Sequence, residues 1–169
     1  MTLTAERLRE LLHYDPKTGI FTWLVSRRVV RAGDQAGTVK EDGYLYIKID
    51  QRSHLGHRLA WLYMTGKWPP DQVDHRDLVG SHNWWENLRL ADNSQNNANS
   101  ECRAASGIKG VTWVESRKRW QAQITVHGRN IFLGRFSEAG EAAAAYATAA
   151  RAHFGEFARV PDMVAGVKR

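Results

Sequence analysis

A chain of 169 residues, 43% hydrophobic with 7 Trp, has room for one ordinary domain or two small ones and enough apolar mass for real cores, which excludes a disordered chain. Its net charge of +6 and pI near 9.7 point to a polyanionic partner. The charge is uneven: residues 101–169 hold 11 Lys/Arg against 6 Asp/Glu, and residues 1–100 hold 13 against 12, so the polyanion is expected at the C-terminal part. The single cysteine, Cys102, excludes an internal disulfide and a cysteine-rich zinc site. The first residues alternate charged with apolar positions, unlike a signal peptide, and no stretch approaches a membrane span. An intracellular, cytoplasmic location with no membrane partner is the expectation.

In chain order, "TAERLRELLHYDPKTGIFTW" opens with Thr4 as N-cap and Leu8, Leu11 and Leu12 at helical spacing, then a turn from Asp15 to Gly19 into a strand at Ile20 to Trp23. Arg27 to Asp34 reads as a loop, and Tyr44 to Ile49 as a strand after the turn Glu41-Asp42-Gly43. "HRLAWLYMTG" predicts a helix over His57 to Met64, stopped by Gly66 and Pro69-Pro70. The small, polar segment from Ser100 to Gly107 reads as a linker. Three strands follow, Gly110 to Val114, Trp120 to Val126 and Asn130 to Phe136, and then an Ala-rich helix with Ser137 as N-cap and Gly155 as its stop. Residues from Pro161 read as a tail.

The densest chemistry lies in "VDHRDLVGSHNWWENLRLADNSQNNANS", residues 73–100. If Val73-Asp74-His75 is a strand, Asp74 and His75 face opposite sides and can serve opposite ends of one substrate bond. Hydrolysis of a phosphodiester needs that division: an activated water on one side of phosphorus, a stabilised leaving oxygen on the other. A neutral imidazole suits the base, and a carboxylate with an amide oxygen suits Mg²⁺ or Mn²⁺. Asparagine clusters also serve as turn residues and helix caps, and an Asp-His dipeptide also occurs as a plain surface pair.

These residues resemble the His-Asn-His (HNH) endonucleases of the ββα-metal superfamily, in particular the phage-type, homing-endonuclease-like branch. The resemblance rests on Val73-Asp74-His75, Asn87-Leu88-Arg89, Gln95-Asn96-Asn97 and His57-Arg58-Leu59, in that family's order and spacing across residues 44–100. It implies His75 as general base and Asp74 and Asn96 as ligands of one divalent cation, Mg²⁺ or Mn²⁺. It implies Asn87 as the residue that braces the loop of the catalytic motif, and His57 and Arg58 as supports of the site or contacts to the DNA backbone. Asn93, Asn97 and Asn99 compete with Asn96 for the ligand role, and only the motif spacing selects Asn96. The loop departs from the family, which carries Asn-Gly or Asp-Gly where this chain has Asp77-Leu78-Val79-Gly80. Leucine adopts a positive φ at greater cost than glycine, so a differently built turn is expected there.

The C-terminal strands carry Lys109, Arg117, Lys118, Arg119, Arg129 and Arg135 against Glu115. Alternation places Trp120, Ala122, Ile124 and Val126 on one face and Gln121, Gln123 and Thr125 on the other, which leaves a polar face for DNA. The segment is similar to the APETALA/ethylene-response-factor DNA-binding domain, through Gly110-Val111, Trp113, Trp120, Phe132-Leu133-Gly134, Phe136 and the run Ala144 to Ala150. That similarity implies DNA contacts from strand residues at Gln123, Thr125 and Asn130, with Phe132 in place of a common Trp.

The expected architecture is therefore α+β. A ββα-metal nuclease core lies within residues 1–100, a linker spans 101–107, a three-stranded antiparallel sheet packed on one helix covers 108–160, and 161–169 form a tail. The expected activity is metal-dependent endonucleolytic hydrolysis of double-stranded DNA in a bacterial or phage-infected cell, with no small-molecule substrate, as monomer or homodimer. His57, Arg58, Lys109, Arg117, Lys118, Arg119, Gln121, Gln123, Thr125, Arg129 and Asn130 are the candidate DNA contacts. The alternatives are a non-catalytic DNA-binding or regulatory protein with a decayed HNH core, and a basic RNA-binding module.

Overall fold

In the computed structural model, which describes residues 2–27, 29–102 and 104–160, the first helix α1 (Ala5–Leu11) starts at its expected cap, Thr4. The Thr4 hydroxyl accepts from the Arg7 amide at 3.2 Å, while Leu8 and Leu11 turn inward. Leu12 then opens strand β1 (Leu12–Tyr14), which pairs antiparallel with β2 (Phe21–Trp23). Strands β3 (Thr38–Val39), β4 (Leu45–Ile49) and β5 (Arg52–Leu55) form a second antiparallel sheet, in which Leu45, Ile47 and Ile49 point inward at period two. Helix α2 (Gly56–Thr65) follows and ends at Gly66, which takes the left-handed conformation. Strand β6 (Gln72–His75) pairs antiparallel with β7 (Leu88–Ala91).

The chain divides into two compact units, one up to Ala91 and one from Asp92 onward. The core of the first gathers Leu8, Leu12, Tyr14, Phe21, Ile47, Ile49, Leu59, Leu62, Val73 and Leu88, so α1, α2 and the three small sheets share one apolar centre. β1, β3 and β5 are two to four residues long, too short to leave a periodic signature, and they exist as pairing partners of the strands that the sequence predicts.

The second unit begins with helix α3 (Asn93–Asn99) and continues as β8 (Val111–Val114), β9 (Arg119–Val126), β10 (Arg129–Phe136) and helix α4 (Ala139–Phe154). The three strands are antiparallel in the order β10-β9-β8, with α4 packed on them. Val111, Ala122 and Ile124 from the sheet and Ala142, Tyr146 and Ala150 from the helix are buried. The architecture is α+β, and no described helix is long and apolar enough to cross a membrane.

Two expectations are corrected. The division falls at Ala91/Asp92 rather than in 101–107, because α3 packs against α4 and the short turn Gly155–Phe157 and is tied back by Lys109. Ser137 is not the cap of α4: that position is Glu138, without a side-chain cap bond, and the Ser137 hydroxyl accepts instead from Arg119 Nη1 at 2.7 Å. The expected tail, 161–169, lies outside the described residues.

Gly110 shows how tightly the second unit is packed. Its φ is +70°, and a Cβ there would overlap the Tyr146 ring and the Gln123 carbonyl. Gly110→Ala is expected to cost about 2 kcal/mol, a fall in Tm of roughly 10 °C in thermal unfolding. Gly140→Ala, in open space on α4, is expected to leave Tm unchanged or raise it.

Candidate active site

The β6–β7 hairpin brings polar residues into an apolar setting. Val73, Asp74 and His75 are all buried, so both faces of the strand are covered rather than one lying open. Across the ladder Asp74 faces Arg89 and His75 faces Leu88. Arg89 directs Nε and Nη2 at the same carboxylate oxygen, Asp74 Oδ2, each at 2.9 Å. The side chains are only 5% (Asp74) and 7% (Arg89) exposed, which makes this a buried ion pair.

His75, 4% exposed, places Nε2 3.2 Å from Asn83 Oδ1. Asn83 Nδ2 donates to the Ser81 carbonyl at 3.1 Å, so the amide oxygen is the atom that faces the imidazole. His75 therefore donates from Nε2, and Nδ1 is its basic nitrogen. Asn83 is itself held from behind: Tyr14 Oη donates to its carbonyl at 2.7 Å. Gly19, at φ +74°, lies so close that a Cβ would overlap the Asn83 and Trp84 backbone. Sequence reasoning missed Asn83. It sits in a run of polar residues where an Asn that turns the chain and an Asn that orients a ring are spelled alike.

Burial, the dominant influence, pushes the His75 imidazole below the ordinary value of 6.5, with the Asn83 hydrogen bond pulling the other way. His57, on α2, is pushed further, to about 3, by burial and then by the charges of His75 and Arg58. The His57 ring packs edge-on against His75 at 4.9 Å, and Tyr44 lies against both. Being 6% exposed and packed on His75, His57 fits the supporting role of the two expected for it, not a contact to DNA. Its buried Nδ1 has no hydrogen-bond partner among the described residues. Arg58 Nη1 donates to the Asp71 carbonyl at 3.1 Å and so ties α2 to the segment that enters β6.

Between the strands, Asn87 holds the loop together. Its Nδ2 donates to Asp77 Oδ1 at 2.9 Å and to the His82 carbonyl at 2.7 Å, and its Oδ1 accepts from the Asp77 amide at 3.1 Å. These bonds make it a positioning residue rather than a reacting group. Burial works against the Asp77 carboxylate, but the Val79 amide, His82 and Asn87 together hold it below the usual range. The expectation for Leu78 is corrected: it does take a positive φ, +68°, and its amide reaches the His75 carbonyl at 3.1 Å. The bonds on both sides of Leu78 override a preference that costs about 1–2 kcal/mol.

Asn96 lies on α3, in the second unit. Asp92 and Gln95 form a reciprocal capping box that starts this helix, with bonds of 2.8 and 2.9 Å. At its other end Lys109 Nζ donates to the carbonyls of Asn97, Ala98 and Ser100 at 2.6 to 2.9 Å. Lys109 is thus a helix clamp, its ammonium pKa lowered by burial, and its place among the DNA contacts is corrected accordingly.

The remaining candidate contacts surround the outer face of β9 and β10. Gln123, Thr125 and Asn130 are exposed, Gln121 is half-buried, and Thr125 Oγ1 donates to Asn130 Oδ1 at 2.5 Å. Arg117, Lys118, Arg119 and Arg129 are exposed around this face, with Lys118 paired to Glu115. Phe132, opposite Gln123, is 56% exposed, with the Arg135 guanidinium 5.2 Å from its ring. Neither was among the candidate contacts, although an apolar residue on an otherwise polar strand face is a signal that alternation alone can find.

Residues 54–98 match the family model described as HNH endonuclease, so this stretch is similar to that family. The matched span contains His57, Asp74, His75, Asn83, Asn87, Arg89 and Asn96 and crosses the division at Ala91/Asp92. "Protein 3.8" of Escherichia phage T7 is similar, at 30% identity over 76 residues, which covers 43% of this chain and 63% of that protein. The chain thus matches somewhat less than two thirds of that relative's length.

Two outcomes are expected from this geometry. Asn87→Ala should lower the unfolding free energy by about 2 kcal/mol in denaturant titration, because it removes three hydrogen bonds made by a buried amide. His57 binds fewer protons folded than unfolded, so its contribution is present above pH 6.5 and is lost as pH falls towards about 3. His57→Phe should flatten the fall in Tm across that window.

Proposed function

We propose that this chain is a metal-dependent endonuclease that hydrolyses phosphodiester bonds in double-stranded DNA, with the β9–β10 face of its second unit contributing to the grip on the target. The observation that carries this reading is His75, held neutral and oriented by Asn83 beside the Asp74 carboxylate, inside the span that matches the HNH family.

Nucleases of this family use divalent metal ions. Asp74 offers such an ion a carboxylate, Mg²⁺ being commonly held by one or two carboxylates with waters and substrate phosphate, and the family resemblance gives the amide oxygen of Asn96 the second ligand role. When bound, the cation would supply Lewis-acid stabilisation of the phosphate and the leaving oxygen. The rest falls to the chain's own residues. His75 accepts a proton from water at Nδ1, Asn83 keeps Nε2 protonated so that Nδ1 stays basic, and Asn87 holds the loop that carries Asn83. The family resemblance extends this reading to the ββα-metal core, to a homing-type, phage-associated enzyme, and to products with a 3′-hydroxyl and a 5′-phosphate. Likewise the similarity of 108–160 to the ethylene-response-factor domain supports duplex DNA as the ligand of the polar sheet face.

A second reading has one observation in its favour. Asp74 is buried and already paired with Arg89, which suits a non-catalytic DNA-binding protein with a decayed core.

Supercoiled plasmid incubated with Mg²⁺, Mn²⁺ or EDTA separates the two. Metal-dependent nicking or linearisation that falls at least a hundredfold in His75→Ala is expected, since a positioned general base contributes about 10²–10⁴-fold. Undiminished cleavage by that variant would reject the assignment of the base, and salt-sensitive DNA binding without cleavage would favour the second reading. The lowered pKa of His75 also sets a sign: the acid limb of the rate profile should lie below pH 6.5, where an ordinary histidine would already be half protonated.

A further inference from the structure

The ion pair on β6 and β7 is harder to explain than the base. Arg89 brings two nitrogens to one oxygen of a buried carboxylate. A buried Asp without a partner would be strongly destabilising, so the free protein requires a cation at this place. Arginine cannot give up its charge, and a divalent ion arriving at the same carboxylate meets a like charge across a short, poorly screened distance. A single carboxylate so neutralised offers a cation little attraction until another anion joins the site. The substrate brings one, because the phosphate to be cut is itself a ligand of the kind Mg²⁺ takes.

We propose that Arg89 is the counter-ion that makes cation binding at Asp74 conditional on DNA: it neutralises the carboxylate in the free protein, and the metal binds well only when a phosphate adds its charge. The inference rests on the reading of Asp74 as a metal ligand. It predicts reciprocal coupling, in which DNA raises metal affinity and metal raises DNA affinity by the same factor. It also gives the enzyme a reason to remain metal-poor away from its substrate.

The test is Mn²⁺ binding by the full chain, followed by electron paramagnetic resonance. Four forms are compared: the wild type, Arg89→Gln, Arg89→Lys and Asp74→Asn. Without DNA, Arg89→Gln is expected to bind Mn²⁺ about tenfold more tightly than the wild type, a size ordinary for coupling between sites, while Arg89→Lys, which keeps the charge, stays weak. A second arm needs no change at Arg89. In the His75→Ala background, which spares the DNA, a short duplex should raise Mn²⁺ affinity about tenfold after subtraction of the Mn²⁺ held by Asp74→Asn with the same duplex. No gain in this arm would overturn the proposal even if Arg89→Gln fails to fold. Equal affinity in Arg89→Gln and wild type, or no gain with duplex, would overturn the proposal while loss of binding in Asp74→Asn leaves the metal reading standing. Binding that Asp74→Asn does not change would overturn both.

Discussion

Burial of strand β6 on both faces is the constraint from which the site follows. A strand exposed on one side could let water satisfy Asp74 and His75, whereas this one must supply a protein partner for each. The partners come from opposite directions. Arg89 reaches across the ladder to the carboxylate, and Asn83 comes from the connecting loop to the imidazole. Each bond serves stability and chemistry together, since the group that stops a buried atom from being orphaned also fixes its charge or its tautomer.

The loop between the strands inherits that constraint. It must carry Asn83 to within 3.2 Å of a ring on β6 and return the chain to β7, and Asn87 enforces this with three hydrogen bonds. Leu78 shows what the arrangement overrides. An isolated leucine avoids a positive φ, yet here the closure of the turn on the His75 carbonyl outweighs the local preference. Tyr14 and Gly19, far away in sequence, complete the enclosure of Asn83, so the N-terminal hairpin forms part of the support of His75.

Periodic features were legible in the sequence, and features that depend on distant closure were not. Thr4 as a cap, the alternation of Leu45, Ile47 and Ile49, the helix ended by Gly66 and the three long strands of the second unit follow from local patterns, and the structure places them within a residue or so. Ser137 misled because a good cap residue was engaged by Arg119, a partner 18 positions away. Lys109 read as a free basic residue because charge counting cannot see three carbonyls at a helix end. His57 read either as a support of the site or as a DNA contact, because its helical spacing does not reveal which of several small sheets will cover it. In the site, Asp74, His75 and Asn87 stood out through type and order, whereas Asn83 and the pairing of Arg89 with Asp74 required the register of the hairpin.

That register explains why polar burial is tolerated. The bond between Nε2 and Asn83, the Arg89 pair and the braced loop are mutually dependent: a shift of one residue along the ladder would separate Asp74 from Arg89 and bury both charges alone. Such a slip is costly enough that the polar groups help select the native pairing, a task the short apolar flanks of β6 and β7 could not perform by themselves. His57 is the counterexample within the same cluster. Among the described residues its buried Nδ1 has no hydrogen-bond partner, and it contributes nothing to the register. An apolar ring of similar shape would pack against His75 without that desolvation cost.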